Sequence, residues 1–245
     1  PSPHGLWYQP RWIVRKGREL IAEHHHSVLS VHEYPPFYNG LGAEWLSRST
    51  GVPYVLEVHH IVGYPRASSL SEWAGRMLSH LFLPHDAQGA AAVRCVNRGA
   101  VDVLERWGTD RHQLYIVPSF YLDRDALQPD ETIQKRYDVV TCGRMVPNKG
   151  FADVIRAIAL LPDVQLLLIG DGPLRASLEQ LAQKLGVADR VAFAGWLPDS
   201  EAVYRALQSG RIFVMNSRSE GGPRVALEVM ALGMPVISTR VGVMP

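Results

Sequence analysis

The sequence predicts an α/β protein of two domains, each a parallel sheet covered by helices. Three observations lead there. Short apolar runs alternate with longer amphipathic stretches at βαβ spacing along the 245 residues. The run 164–169, VQLLLI, is apolar enough to sit centrally in a sheet covered on both faces. A polar, proline-bearing stretch at 124–136 separates a first series of elements from a more regular second one. The expected organisation is a domain over 1–123, a linker over 124–136 and a domain over 137–245.

Residues 1–10 show no period, and 11–23 form a helix with Ile13, Leu20 and Ile21 inward and Arg15, Lys16 and Arg18 outward. Such a basic, Trp-bearing helix rests on an anionic membrane or presents an ordinary solvated face. A strand follows at 28–32. A helix occupies 38–48, opened by Asn39-Gly40 and ended by Thr50-Gly51, and a strand occupies 53–59. Residues 69–82 form a long helix, 91–96 a strand, 99–107 a helix closed by Gly108, and 114–117 a strand stopped by Pro118.

In the second half, strands are expected at 137–143, 164–169, 190–195, 211–216 and 235–239. The helices between them cover 151–161, 174–185, a stretch after Asp199 as N-cap, and one starting at about Pro223.

Bulk composition narrows the function. A hydrophobic content of 47% and a charged content of 20% suit a soluble globular protein, and a formal net charge of +1 supplies no field for nucleic acid. The two cysteines, Cys95 and Cys142, lie in apolar runs and read as buried thiols of a reducing compartment. No apolar run reaches the roughly 20 residues of a membrane span. His24, His25 and His26 are adjacent and do not share a helix face, so they read as a solvated helix end.

Ligands of open parallel sheets sit beyond the carboxyl ends of the strands. In the first half those positions are His32, His59 with His60, Asn97 and Ser119. In the second half they are Arg144, Lys149, Gly170, Trp196 and Glu220. Arg144 and Lys149, in R-M-V-P-N-K-G, put two cations beside a helix start, where they neutralise a departing diphosphate. Gly221 and Gly222 leave bare backbone before the helix at Pro223, a place for an anion. Glu220, close to that anion, accepts hydrogen bonds from the hydroxyls of whatever the phosphate carries, and Glu228, one turn on, holds a ribose. Glu220 and Glu228 are separated by seven residues.

The segment E-G-G-P-R-V-A-L-E-V-M-A-L-G-M-P-V-I at 220–237 resembles the E-x7-E segment of retaining glycosyltransferases of family 4. Their usual form is E-G-x-G-x-x-x-x-E-A-M-A-x-G-x-P-V-I, and Pro223 and Val229 are the departures. The R-x-x-x-x-K-G pattern is similar to that family's as well. The resemblance implies the GT-B fold, two Rossmann-like domains whose parallel sheets face each other across a cleft, with the N-terminal domain incomplete. It places the turn at Gly170-Asp171 near the nucleotide and lets the Trp196-Leu197 loop meet the base by its backbone. Trp196 either stacks on the base or packs, and guanine, uracil and adenine stay open. The strand ending Leu-Glu-Val-His59-His60 resembles the family's T-x-H strand, whose histidine faces the donor sugar. The assignment falls on His59, with His60 its equal-looking neighbour. V-P-S-F-Y-L-D at 117–123 departs from the family's V-I-P-N-G-V-D, although Asp123 remains.

The activity so implied is transfer of a sugar from a nucleoside diphosphate sugar to an acceptor hydroxyl with retention, in cell-envelope polysaccharide or glycolipid synthesis. No cofactor is expected beyond that co-substrate, and no metal. The acceptor is a saccharide or lipid-linked glycan. The expected location is the cytoplasm, peripheral at the inner face of the membrane. The family's opening strand and closing helix have no counterpart, so the chain reads as a fragment with exposed sheet edges and little turnover. A nucleotide-sugar-binding remnant and another GT-B enzyme, such as a nucleotide-sugar epimerase, are the alternatives.

Overall fold

The computed structural model describes residues 5–35, 37–118, 121–123 and 125–244. The chain divides into two compact units, Pro1–Ser119 with Glu220–Gly222, and Phe120–Ser219 with Pro223–Pro245. Ser119, one of the expected strand-end positions, lies outside the described residues, as do Phe120 and Arg124 of the hinge and linker.

The first unit contains α1 (Gly5–His24), β1 (Leu29–His32), α2 (Tyr38–Thr50), β2 (Tyr54–Val58), α3 (Leu70–Gln88), β3 (Ala92–Cys95), α4 (Arg98–Arg106) and β4 (Leu114–Ile116). The strands are parallel and lie in sequence order, β1-β2-β3-β4. The core gathers on β2, where Tyr54, Leu56 and Val58 are fully buried, with Leu83 and Ala87 of α3, Val93 and Cys95 of β3, and Val101 and Leu104 of α4. The starts of α3 and α4 carry side-chain caps. Ser69 accepts from the Glu72 backbone N–H, while the Glu72 carboxylate accepts from Ser68, a close relative of the capping box. Asn97 caps α4 by accepting from the Ala100 N–H at 2.8 Å. Gly51, at φ 75°, closes α2 in the left-handed conformation.

Two helices outrun the reading from sequence. α1 begins at Gly5 and passes through Pro10. α3 ends at Gln88 rather than near residue 82, passing through Pro84. A proline removes one helix hydrogen bond, but Leu83, Asp86 and Ala87 around Pro84 are buried. Burial of the next turn keeps the helix going.

The second unit contains β5 (Tyr137–Cys142), α5 (Phe151–Ala159), β6 (Leu166–Ile169), α6 (Arg175–Lys184), β7 (Val191–Gly195), α7 (Ser200–Gln208), β8 (Gly210–Met215), α8 (Arg224–Ala231) and β9 (Val236–Ser238). All pairings are parallel, in the order β7-β6-β5-β8-β9. Alternation along β6 explains the two cores. Leu166 and Leu168 join Phe151, Ile155 and Leu178 from α5 and α6. Leu167 and Ile169 join Tyr204, Leu207, Ala226 and Val229 from α7 and α8. Asp199 caps α7 by accepting from Ala202 N at 2.8 Å. Pro223 stands at the N-cap of α8, one residue before the helix, not at its first position. Residues after Arg124 are tied to the second unit: Leu127 is buried in its core, and Asp130 N and Lys135 Nζ both donate to Gln208, each at 2.7 Å.

Candidate functional site: a strand-end crevice and a charged sheet row

In the second unit the strand order reverses between β5 and β8, and it is at the carboxyl ends of strands at such a switch point that open parallel sheets have their ligand crevice. The loops after these two strands carry Arg144 with Lys149 and the run to Glu220. They are fastened to each other. Arg218 N donates to Asn148 O at 2.7 Å, and Asn216 Nδ2 donates to Gly150 O at 3.3 Å. Gly150, at φ 67°, lies where a Cβ would collide with the Asn216 carbonyl. Thr239 Oγ1 holds the Ser217 carbonyl at 2.5 Å from the far side.

The turn after β6 presses on the β5 loop. Gly170, at φ 116°, comes so close to the Gly143 carbonyl that no Cβ fits, and Met145 N donates to Asp171 O at 2.8 Å. The glycine at 170 therefore serves close backbone approach. Asp171 uses its side chain locally, accepting from Gly172 N at 2.7 Å and pairing with Arg175 at 3.2 Å. In the β7 loop, Trp196 is 77% exposed, so of its two expected roles packing is not the one seen. Leu197 is partly buried and packs against the core.

Arg144 is exposed and Lys149 half-buried, its stem about a van der Waals contact from Gly143. Glu228 is buried on α8, where its Oε1 accepts from Arg224 Nε at 2.8 Å and from Tyr204 OH at 3.2 Å. The Cys142 thiol, at the end of β5, registers both charges. Burial and then Glu228 push it up to about 11, against the opposing pull of Lys149. Tyr204 is raised as well, by burial first and then by Glu228. Glu228, Lys149 and the end of β5 thus share one neighbourhood. Glu220 and Gly221 are half-buried and Gly222 exposed; all three group with the first unit. Arg224 and Tyr204 were missed from sequence, although the i, i+4 spacing of Arg224 and Glu228 was a visible signal.

The first unit has its own polar cluster, made by strand register. His32 pairs with Glu57, and Glu57 with Arg94, across β1, β2 and β3. Residues in register share a face, and so do residues two apart, which adds Ser30 and His59. Glu57 Oε2 lies 2.7 Å from Arg94 Nη1, 2.8 Å from His59 Nε2 and 3.4 Å from His32 Nε2, and Oε1 accepts from Ser30 Oγ. Burial opposes the charge on Glu57, but the Ser30 and His59 hydrogen bonds and the Arg94 cation outweigh it and hold the carboxyl down at about 2. The two imidazole rings lie 4.5 Å apart between centroids, tilted by 30°. Among the described residues, His32, Glu57 and His59 form a group with metal-ligand spacing. It is His59, rather than His60, that shares the Glu57 face. Asn97 spends its side-chain oxygen on the α4 cap. Glu57 and Arg94 were also missed from sequence.

Two family models match the chain: Glycosyl transferase 4-like domain over residues 1–119 and Glycosyl transferases group 1 over residues 123–245. The lipopolysaccharide core biosynthesis glycosyltransferase LpsE of Rhizobium meliloti is 47% identical over 102 residues, which cover 42% of this chain and 29% of that protein. Sucrose-phosphate synthase from Thermosynechococcus elongatus superposes with a TM-score of 0.80 at 23% identity, over 99% of this chain and 63% of that one. HepE of Anabaena, solved in complex with UDP and glucose, superposes at 0.69 and 18% identity, over 92% and 62%. The chain thus spans under two thirds of the length of these proteins, and the superpositions show the fold, which is GT-B. With its second half matched end to end by the group 1 model and its first half by the 4-like model, the chain belongs to the glycosyl transferases group 1 family.

Proposed function

We propose that the chain carries the machinery of a retaining glycosyltransferase, which moves a sugar from a nucleoside diphosphate sugar to an acceptor hydroxyl in cell-envelope polysaccharide or glycolipid synthesis. The observation that carries this reading is the crevice of the second unit, where the loops bearing Arg144 and Lys149 meet the β8 loop beside the buried Glu228. Arg144 and Lys149 neutralise the diphosphate as its charge develops, in place of a divalent ion. Glu228 takes the ribose hydroxyls. Gly170, Asp171, Trp196 and Leu197 border the base.

Glu220 holds the donor sugar's hydroxyls, with the backbone of Gly221 and Gly222 beside the phosphate. His59, oriented by Glu57, contacts a sugar hydroxyl or the departing phosphate. The bond from the anomeric carbon to the diphosphate oxygen breaks, and the acceptor oxygen bonds that carbon on the same face. The acceptor's proton passes to the leaving phosphate.

The name of LpsE supports an envelope glycan as acceptor, and the UDP held by HepE supports a nucleoside diphosphate as the donor's handle. Among the described residues no helix is long and apolar enough to cross a membrane. Peripheral contact at the cytoplasmic face is supported by α3, whose Leu70, Trp73, Met77 and Leu81 are exposed at helical spacing.

Calorimetric titration with UDP, GDP and ADP tests the reading, with the Arg144→Ala/Lys149→Ala double variant alongside. One nucleotide is expected to bind, and the double variant to lose at least about 100-fold, since charge-assisted hydrogen bonds contribute roughly 1.5–3 kcal/mol each. Equal affinity in the folded double variant would overturn the phosphate assignment.

A further inference from the structure

The row on the first sheet holds more than one positioned histidine. Two imidazoles and a carboxylate project from one face of β1 and β2 and from the residue just after β2, and strand register keeps them together. His32 Nε2 stands 3.4 Å from Glu57 Oε2, and His59 Nε2 stands 2.8 Å from the same oxygen. The ligand atoms of the three residues all lie within 4.8 Å of one another.

A tetrahedral ion with bonds of about 2.1 Å needs ligand atoms roughly 3.4 Å apart. The His32 to Glu57 separation already meets that spacing, and the His59 to Glu57 one needs a few tenths of an ångström of opening. The carboxylate is further oriented by Ser30 on Oε1 and by Arg94 on Oε2, the oxygen that both histidines face. Ligating carboxylates are commonly oriented by such outer hydrogen bonds. His32 is 60% exposed on its side chain, which leaves an entry path.

From this geometry we infer that His32, Glu57 and His59 form a binding site for a borderline first-row transition dication of the Zn2+ class. Two nitrogens and one oxygen select zinc, nickel or copper over magnesium and calcium, which prefer oxygen ligands. Three protein ligands leave a fourth position for water or an added anion. The site is separate from the cations assigned to the diphosphate and goes beyond the transfer reaction. One consequence rests on the donor-sugar role of His59 proposed above: an ion on His59 Nε2 replaces the Glu57 hydrogen bond that orients the ring toward the sugar, so the ion inhibits.

The test is calorimetric titration of the full chain with ZnCl2 in a non-chelating buffer and without any nucleotide, so that the outcome stands apart from the donor reading. One ion per chain is expected. His32→Ala and His59→Ala are each expected to weaken binding at least tenfold, and Glu57→Gln likewise. His24→Ala/His25→Ala/His26→Ala controls for the exposed histidine run, whose His24 and His26 rings lie 5.6 Å apart, and should bind as the parent does. His32 is exposed, so its replacement keeps the measurement decisive even if Glu57→Gln unfolds. Zinc affinity unchanged in folded His32→Ala, no binding by the parent, or loss only in the triple variant would each overturn the site.

Discussion

The two sheets are built from the same parallel βαβ unit and place their charges differently. In the first, strands follow sequence order without reversal, and the charged groups lie on the sheet itself, in the register row of His32, Glu57 and Arg94. In the second, the order reverses between β5 and β8, and the charges stand off the strand ends, in loops that glycines press together. A sheet without a switch point gathers polar groups by pairing strands. A sheet with one gathers them in the loops at the strand ends. The first arrangement holds Glu57 in a hydrogen-bonded row on the strands themselves, whereas the second places Arg144 and Lys149 in a loop beyond them.

The largest expected effect tests whether close backbone approach sets the second unit's loops. Gly170→Ala puts a Cβ into the Gly143 carbonyl at a φ of 116°. It is expected to lose about 3 kcal/mol or more, because backbone cannot yield as a side chain does. Gly51→Ala in the first unit also sits at positive φ, 75°, but opens into free space. It should cost only about 1 kcal/mol, the left-handed penalty alone. Urea unfolding, with hydrogen exchange to separate the units, reads both. Equal losses would mean that conformational preference and not crowding sets the loops.

The same contrast explains what was legible in the sequence. In the second unit β5 and β6 are each followed directly by glycine, and the cations expected from sequence follow β5 within a few residues. Arg144 and Lys149 could therefore be placed from local pattern. The row on the first sheet could not, because His32, Glu57 and Arg94 meet only through strand register across dozens of residues. Of that row, the alternation of Glu57 and His59 was the one part in plain view. Leu83 and Ala87 hid the true end of α3 in the same way, since burial carried the helix past Pro84. Glu33 and Asp86 are a third case: nothing local marks them as neighbours, yet both carboxylates press on Gly40.

That pair gives the next prediction. The carboxyls shifted furthest, Glu33, Asp86 and Glu57, all belong to the first unit. Burial and the nearby Asp86 push Glu33 up to about 8, and burial and then Glu44 push Asp86 up to about 7. Asp86 Oδ2 is buried and unpartnered among the described residues. Raised acids bind their protons more tightly folded than unfolded. Their contribution is complete below the ordinary carboxyl range and is lost as pH rises through about 7 and 8.

Glu57 runs the other way: its contribution is present above the ordinary range and is lost as pH falls toward about 2. Stability of the first unit should thus fall, by on the order of 2–4 kcal/mol, between pH 5 and pH 8. Asp86→Asn should remove roughly half of that slope, leaving the part that burial of Glu33 sustains, and should raise stability more at pH 8 than at pH 5. A slope confined to the second unit, or one that Asp86→Asn leaves intact, would break the assignment of buried charge to the first.

The smallest stability effect is expected at the second unit's best-held carboxylate, and it sharpens the comparison most. Arg224 pairs with Glu228 at 2.8 Å, but its side chain is 57% exposed while that of Glu228 is 11% exposed. An ion pair with one solvated partner contributes about 0–1 kcal/mol, and Tyr204 still donates to the same oxygen. Arg224→Ala should therefore unfold within about 1 kcal/mol of the parent. If Glu228 holds a ribose, however, its orientation matters to binding, and losing one of two anchors should weaken nucleoside diphosphate affinity about five- to tenfold, roughly 1 kcal/mol or slightly more. Binding should fall by at least as much as folding does, the reverse of what Glu57→Gln should give on the first sheet, where a buried carboxylate leaves Arg94 without its partner. Should Arg224→Ala cost several kcal/mol of stability and leave nucleotide affinity untouched, the carboxylate at 228 is part of the fold. The division between charges that hold the first sheet and charges that serve a ligand in the second would then fail at its strongest point.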